Sequence, residues 1–271
     1  MTFNSKKQLS QFLAEDVGKG DITSNLLPKK RILVKIISRE NAILAGVTYA
    51  KEIFKLKGCN CKILKKDGTK IKQNQAIMII TGNAGNILTC ERTALNLLTR
   101  MSGIATQTNS LVKKIPKKTK LYATRKTAPG LRHFDKEAVE IGGGEKHRLT
   151  LDEMVMIKDN HIAVGDSLSS LIKKTKKKYK KFEVEVENTA DAVLAAKEGA
   201  TIIMLDNFTP AQIKKTIQTL KNMKLRNKVM LEASGGITSK NISKYGQTGV
   251  DIISVGSITN SVKGIDMSLE I

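Results

Sequence analysis

The sequence is poor in tryptophan, proline, cysteine and aromatic residues, and it has no long apolar run. Its 271 residues include no tryptophan, four prolines and three cysteines, and aromatic residues make up 4% of the chain. The odd cysteine count, with Cys59 near Cys61 and Cys90 alone, offers no metal-site spacing and is typical of a reducing compartment. The longest uninterrupted apolar run, residues 76–80, is far too short to cross a bilayer. The sequence therefore predicts a globular, cytoplasmic protein with no membrane segment.

Positive charge, by contrast, is abundant. There are 47 lysines and arginines against 25 aspartates and glutamates, for a net charge of +22. Such a balance suits nucleic acid, an acidic membrane surface or a strongly anionic substrate. The lysine run at residues 173–181 has the pattern of a solvated helix end, and aromatic residues do not interleave with it, which disfavours a base-stacking surface. A nucleic-acid binder remains an alternative, which steeply salt-dependent affinity for generic duplex would reveal.

Fixed hydrogen-bond donors are concentrated in fewer than forty residues around the glycine triplet 142–144. This basic cluster consists of Arg125, Lys126, Arg132, His147, Arg148, Lys158 and His161. Donors at this density are suited to a small ligand that carries several carboxylates or phosphates. The cluster therefore predicts an enzyme that handles anions.

Short apolar runs alternate with amphipathic segments from about residue 121 to residue 256. Strands are expected at residues 121–123, 154–157, 182–186, 201–205, 229–231 and 251–255, and helices at 134–141, 168–179, 189–198, 210–223 and 240–245. Thr189 and Thr209 are predicted to cap the third and fourth of these helices. Repeated strand and helix units imply a parallel sheet, either a closed or nearly closed barrel or a doubly wound open sheet.

The positions of the polar residues decide between these folds. Chemically active residues follow strand after strand: Arg125 and Lys126, Lys158, Glu185 and Glu187, Asp206, residues 234–236, and Gly256. Reactive groups at the carboxyl ends of many strands are typical of a barrel of the triosephosphate isomerase kind, whose last loops often bind phosphate. No GxGxxG follows any strand, which disfavours a dinucleotide fold.

Carboxylates and glycines in these loops each allow two interpretations. Glu183, Glu185 and Glu187 share one face of a strand, so they point inward to cations or a metal, or else they lie in water on an edge strand. Asp206 fits either a turn cap or a magnesium ligand. The segment 234–236 and Gly256 fit phosphate loops or plain turns, and their place after the last two strands favours phosphate.

The first hundred residues have a different pattern, with a short helix and then several strands around one further helix. We predict an α/β protein with an amino-terminal α+β domain at residues 1–105, which includes the Arg92 helix. An α/β barrel of the triosephosphate isomerase kind at 106–271 is predicted to follow, with the active site at the carboxyl ends of its strands and a tail that returns to the small domain.

Eight segments together resemble the quinolinate phosphoribosyltransferase family, also called carboxylating nicotinate-nucleotide pyrophosphorylases. They are residues 91–96, 102–106, 124–132, 142–148, 157–162, 183–187, 205–207 and 234–237. The resemblance implies an amino-terminal α/β domain followed by an open, TIM-like α/β barrel. It also implies a homodimer or larger homo-oligomer that converts quinolinate and phosphoribosyl pyrophosphate to nicotinate mononucleotide, CO₂ and pyrophosphate in NAD biosynthesis. Asn74 stands where the family usually has glycine in a turn, a position that requires a positive φ tolerated by asparagine.

The resemblance also implies roles for particular residues. Those implied to bind quinolinate are Arg125, Lys126, His147, Arg148 and Lys158, with Arg92 reaching in from the neighbouring subunit. Glu185 and Asp206 are implied to bind Mg²⁺ and ribose, and Ser234, Gly235, Gly236 and Gly256 to bind phosphate. Lys126, Lys158, Glu185 and Asp206 are the expected catalytic residues. A different phosphoribosyltransferase and a non-catalytic paralogue remain alternatives.

Overall fold

The structure, a computed structural model, describes residues 4–165 and 167–271. The chain divides into two compact units. The first consists of the described residues up to Gln107 together with Glu137–Gly143 and Val262–Ile271, and the second of Thr108–Lys136 and Gly144–Ser261. Residues 1–3 of the predicted amino-terminal domain lie outside the described part, and the boundary at residue 105 stays a prediction.

The helices and strands are numbered along the chain. The first half contains α1 (Ser5–Val17), β1 (Arg31–Ser38), β2 (Ala42–Ile43), α2 (Val47–Leu56), β3 (Asn60–Ile63), β4 (Lys70–Ile71), β5 (Gln75–Asn83), α3 (Ala84–Val112), β6 (Lys120–Ala123) and α4 (Arg132–Ile141). The second half contains β7 (Val155–Ile157), α5 (Asp159–Val164), α6 (Leu168–Lys178), β8 (Phe182–Val186), α7 (Thr189–Glu198), β9 (Ile202–Asp206), α8 (Pro210–Asn222), β10 (Met230–Ser234), α9 (Ile242–Gly246), β11 (Ile252–Val255), α10 (Ser257–Asn260) and β12 (Met267–Glu270).

The first unit is built on an antiparallel sheet with the strand order β12–β1–β5–β3. Helix α2 buries Val47, Ala50, Ile53 and Phe54, whose spacing places them on one helical face. Asn74 has a φ of 60°, so the predicted left-handed turn before β5 is confirmed. The last strand, β12, pairs with β1, so the carboxyl-terminal tail belongs to this unit.

The second unit is a parallel six-stranded sheet with the order β6–β11–β10–β9–β8–β7. Consecutive strands β7 to β11 are neighbours and β6 lies beside β11, which is the order of a barrel opened between β6 and β7. Within the described residues no ladder joins those two edge strands. The predicted α/β class, an α+β part followed by an open barrel, is confirmed.

Of the two helix caps predicted in the second unit, one is confirmed and the other is wrong. Thr209 caps α8 as predicted, and it forms a reciprocal capping box with Gln212 ahead of Pro210. The prediction for Thr189 is wrong, because Asn188 accepts the backbone N–H of Asp191 at 2.9 Å and is the cap of α7. Asparagine is at least as good a cap as threonine, and the Thr189 hydroxyl instead lies 2.7 Å from that of Thr216.

None of the described helices is both long enough and apolar enough to span a membrane.

Candidate active site

A pocket of about 350 Å³ lies at the carboxyl ends of the parallel strands, entirely within the second unit. Its lining consists of Ala123, Thr124, Arg125, Lys126, His147, Arg148, Met156, Lys158, Glu185, Met204, Asp206, Glu232, Ser234 and Ser254. Eight of the predicted site residues are therefore brought together, namely Arg125, Lys126, His147, Arg148, Lys158, Glu185, Asp206 and Ser234. The predicted phosphate glycines Gly235, Gly236 and Gly256 are not among the lining residues.

Strand register explains why the polar side chains converge. Glu185 pairs with Met204, which pairs with Glu232 on the next strand, and Asp206 pairs with Ser234 two residues further on. Because side chains alternate along a strand, residues two apart on paired strands project from the same face of the sheet. Two successive rows of side chains on one face of the sheet therefore line the pocket, first Glu185, Met204 and Glu232, and then Asp206 and Ser234.

The basic part of the pocket comes from two backbone segments beside β6. Arg125 and Lys126 follow β6 directly, and Glu145 forms a parallel bridge with Tyr122 at the free edge of β6. This bridge brings His147 and Arg148 to the opening between β6 and β7. Two basic segments that are about twenty residues apart in sequence thus lie side by side.

Each cation in these segments has a different environment. The Arg125 Nε atom is buried and has no hydrogen-bond partner among the described residues. Arg148 is anchored to the start of β7, because its Nη1 donates to the Met154 carbonyl at 2.9 Å. His147 has a φ of 52°, and its Nε2 lies 3.1 Å from Glu183 Oε2. The buried and unpaired donor of Arg125 is the one whose hydrogen-bonding capacity is left for a ligand.

Lys158 and Glu185 form an ion pair inside the pocket, with the Lys158 ammonium donating to Glu185 Oε2. Asp206 accepts a hydrogen bond from the Asn207 side-chain amide at 2.7 Å. A charged ligand can replace either partner. An anion can take the place of Glu185 beside Lys158, and a cation can take the place of Lys158 beside Glu185.

Gly235 is required by close packing in the loop after β10. Its φ is +86°, and a Cβ at this position would lie 2.2 Å from the Asn207 Oδ1 atom. Asn207 also has a positive φ, 58°, and its backbone N–H donates to the Ser234 carbonyl at 2.9 Å. The loops after β9 and β10 are therefore locked together, which fixes Asp206 and Ser234 relative to each other.

His147, Glu183 and Glu232 form a buried cluster, and two of its members, His147 and Glu232, also line the pocket. Both glutamates have no exposed surface, and His147 Nε2 is 4.0 Å from Glu232 Oε2. Burial, reinforced by the neighbouring Glu183 charge, raises the pKa of Glu232 to about 8, and burial raises the pKa of Glu183 to about 7. Burial also lowers the pKa of His147. Glu232 was not singled out from the sequence, although its position two residues before Ser234 on the inward face was a usable signal.

We expect Glu232→Gln to become more stable relative to wild type as the pH rises. The folded protein holds a proton on Glu232 that the unfolded chain releases near the ordinary value of 4.5. This stabilisation is complete below 4.5 and is lost as the pH rises towards 8. Chemical unfolding should show that the free energy of unfolding of the variant, relative to that of wild type, is about 2–4 kcal/mol higher at pH 9 than at pH 5. The exposed Glu187→Gln variant controls for the loss of one carboxylate. An equal difference at both pH values would contradict the assignment.

Three residues of the predicted pattern have other positions. Arg132 donates to Thr127 Oγ1 at 3.3 Å and to the Leu149 carbonyl at 3.2 Å. His161 Nδ1 accepts a hydrogen bond from the Lys158 backbone N–H at 2.9 Å. Both side chains therefore stabilise nearby loops and do not line the pocket. Glu187 lies past the end of β8 and is exposed, unlike the inward Glu183 and Glu185. Arg132 and His161 thus belong to the basic cluster in sequence without lining the pocket, and of the two interpretations of Glu187 the structure agrees with the exposed one.

Arg92 lies on α3 in the first unit and is exposed. It lines a separate pocket of about 270 Å³ with Leu95, Asn96, Thr99 and residues 264–267, together with Glu40. All of these residues belong to the first unit.

Within residues 4–165 and 167–271, two sets of side chains could hold a divalent cation. One is the cluster of His147, Glu183 and Glu232, whose candidate ligand atoms lie within 4.8 Å of one another. Its buried carboxyl groups have raised pKa values and are poor ligands for a hard cation at neutral pH. The other set is Glu185 and Asp206, which offer only oxygen atoms to the pocket. Mg²⁺ prefers one or two carboxylates together with water and substrate phosphates, so the second set fits it better.

Fold and pocket together define the class of this protein. It is an open α/β barrel with a cationic pocket at the carboxyl ends of its strands, and two carboxylates lie in the same pocket. Such a site suits the binding and chemistry of a small molecule that carries several negative charges.

The chain belongs to the quinolinate phosphoribosyltransferase family. The family's amino-terminal domain matches residues 21–102 and its carboxyl-terminal domain matches residues 104–270. An Archaeoglobus fulgidus protein described as a probable carboxylating nicotinate-nucleotide pyrophosphorylase is 44% identical, over 93% of this chain and 98% of its own. The Dictyostelium discoideum carboxylating nicotinate-nucleotide pyrophosphorylase is 33% identical over 99% and 96% of the two chains. The solved structure of the nicotinate-nucleotide pyrophosphorylase from Francisella tularensis has a TM-score of 0.91 and 40% identity, over 98% of this chain and 95% of that one.

Proposed function

We propose that this protein transfers the phosphoribosyl group of phosphoribosyl pyrophosphate to the ring nitrogen of quinolinate and releases CO₂, in NAD biosynthesis. The relatives' name, carboxylating nicotinate-nucleotide pyrophosphorylase, describes the same reaction from its product. The observation that carries the proposal is the grouping of Arg125, Lys126, His147, Arg148 and Lys158 around one pocket that also contains Glu185 and Asp206.

Quinolinate carries two adjacent carboxylates on a pyridine ring, which repel each other and require several cations. We assign this binding to Arg125, Lys126, His147, Arg148 and Lys158. The guanidinium of Arg125 supports the assignment, because its buried Nε lacks a protein partner and its planar donors match a carboxylate. Binding of the second carboxylate would draw Lys158 away from Glu185, which frees that glutamate for the other substrate.

The first chemical step forms a bond between the ring nitrogen and the anomeric carbon of the ribose as the bond to pyrophosphate breaks. The nitrogen then carries a positive charge and withdraws electrons from the ring. The adjacent carboxylate leaves as CO₂, its bonding electrons remain on the ring carbon, and a proton completes nicotinate mononucleotide. We assign stabilisation of that ring anion to the Lys126 ammonium, which lies in the pocket as a compact point charge.

The phosphates of the second substrate are assigned to Ser234, Gly235, Gly236 and Gly256. Support comes from the tight packing of the loops: besides the contact of Gly235 with Asn207, a Cβ on Gly256 would lie 3.3 Å from Lys126 Cδ. Glu185 and Asp206 are assigned to Mg²⁺ and the ribose hydroxyls. When bound, Mg²⁺ neutralises the charge of the departing pyrophosphate.

The remaining features rest on the family and the sequence. We propose a cytoplasmic homodimer or larger homo-oligomer in which Arg92 serves the active site of the neighbouring subunit. The small-molecule substrates are quinolinate and phosphoribosyl pyrophosphate, with no nucleic-acid or membrane partner. Residues 1–105 and 106–271 are proposed as the two domains.

The purified protein is expected to release pyrophosphate when given quinolinate, phosphoribosyl pyrophosphate and Mg²⁺, and to give nicotinate mononucleotide and CO₂ in equal amounts. Nicotinate is the matched control substrate, because it lacks the second carboxylate for which the extra cations are present. Turnover of nicotinate with none of quinolinate would instead assign the pocket to a different phosphoribosyltransferase. No turnover of either would favour a non-catalytic paralogue.

A further inference from the structure

Lys136 on α4 is a lysine with no exposed surface. Lysine is almost never fully buried unless a carboxylate pairs with it. Among the described residues, no carboxylate lies within ion-pair distance of the Lys136 ammonium. It donates instead to three backbone carbonyl oxygens, those of Ala123 at 2.8 Å, Arg148 at 3.4 Å and Lys146. The three donors of the ammonium thus match three carbonyl acceptors.

Those three carbonyls belong to the two backbone segments that carry the basic residues of the pocket. Ala123 is the last residue of β6 and immediately precedes the Thr124–Lys126 segment. Lys146 and Arg148 stand on either side of His147, whose φ of 52° is uncommon for a residue with a side chain. One buried ammonium therefore ties the first segment to the second and holds both flanks of a strained histidine.

The charges around Lys136 make its burial unfavourable for the fold. Burial is the main cause that lowers the pKa of Lys136 to about 8, and the nearby Arg132, Arg125 and Arg148 lower it further, against a smaller opposing effect of Glu153. An apolar side chain of similar length would avoid both the desolvation and the repulsion, but it would leave the three carbonyl oxygens without their donor. The favourable part of this arrangement is therefore the tie between the carbonyls of the two segments.

We propose that Lys136 is a positioning residue for the quinolinate half of the site. Its ammonium holds the carbonyls of Ala123, Lys146 and Arg148 together so that Arg125, His147 and Arg148 contact the two carboxylates at once. It also adds a fixed positive charge behind them. The inference rests on the proposed function, and it assigns no direct contact between Lys136 and either substrate.

Binding of each substrate to Lys136→Met, measured by calorimetry without turnover, tests this role. Quinolinate should bind at least about 30-fold more weakly than to wild type, the scale of one charge-assisted hydrogen bond. Binding of phosphoribosyl pyrophosphate should change less than about threefold. In turnover, the KM for quinolinate should rise in the same proportion, and Lys136→Arg, which restores a cation, should recover part of the loss.

Arg226→Met is the matched control. Arg226 also donates to backbone carbonyls, those of Val229 at 3.1 Å and Gly249 at 3.0 Å, and it pairs with Asp251 at 3.0 Å. These contacts lie at the amino ends of β10 and β11, and Arg226 does not line the pocket. It should leave quinolinate binding unchanged. If Lys136→Met does not fold, Lys136→Gln, which keeps two N–H donors without the charge, is measured by the same criteria.

Equal weakening of both substrates, or weakening of neither, would overturn the role of Lys136. Absence of quinolinate binding and turnover in the wild-type protein would instead reject the proposed function. The two failures are therefore distinguishable in a single set of titrations.

Discussion

Arg92→Ala and Lys158→Ala should each abolish turnover, whereas a mixture of the two variants should recover about a quarter of wild-type activity. On the proposed assignment, each substitution leaves a quinolinate carboxylate without a charged partner, and Lys158→Ala also leaves Glu185 unpaired. Truncating one partner of a charge pair that the bound ligand shields from water costs about 2–5 kcal/mol, or roughly one to four orders of magnitude in rate. The recovery follows if Arg92 acts across a two-fold interface, since one site of each mixed dimer then receives both intact residues.

Random exchange makes half of the dimers mixed, and each mixed dimer has one intact site of two. Copurification of differently tagged chains would establish that exchange occurred, and two tagged preparations of Lys158→Ala serve as the control that should regain nothing. Activity no greater than the sum of the separate variants would mean that Arg92 serves its own subunit or none.

Removal of divalent metal should abolish turnover completely, and Mg²⁺ should restore it. Asp206→Asn is expected to lower kcat/KM by about two orders of magnitude and to raise the Mg²⁺ concentration needed for half-maximal rate, because a neutral amide is a weaker ligand than a carboxylate. Glu185→Gln should act in the same direction. Its effect includes the loss of the partner of Lys158, which adds a quinolinate defect.

Glu187→Gln is the matched control for both carboxylates, since Glu187 is exposed and lies beyond the end of β8. It should keep nearly wild-type activity at every Mg²⁺ concentration. Undiminished turnover in excess chelator would remove the metal from the proposal and leave Glu185 and Asp206 with the ribose hydroxyls alone.

Residues at strand ends were the part of the site that the sequence could predict. The alternation of apolar runs and helices fixes where strands end, and in a parallel sheet those ends meet at one edge, as they do for Lys158, Asp206 and Ser234. Roles that depend on local turns could not be predicted in this way. Arg132 and His161 have the same donor types as Arg125 and His147, yet their donors and acceptors are used by nearby backbone groups.

Buried polar residues were hardest to find because their neighbours in sequence conceal them. Lys136 lies between Asp135 and Glu137, a composition typical of a solvated helix surface, and only the tertiary fold reveals that its ammonium is enclosed. The fold class followed from the strand and helix period, and the return of the tail, residues 262–271, to the first unit was also expected. The place of residues 137–143 in that unit was not, because it depends on contacts that are remote in sequence.

The pairing of β12 with β1 has a consequence for folding. The two strands are remote in sequence and the whole second unit lies between them along the chain, so this edge of the sheet is completed only by closing a long loop. Such contacts form slowly, because the entropy of loop closure is lost before the contact stabilises the fold. Removal of Met267–Glu270 would leave β1 as an open sheet edge, a template for pairing with another chain.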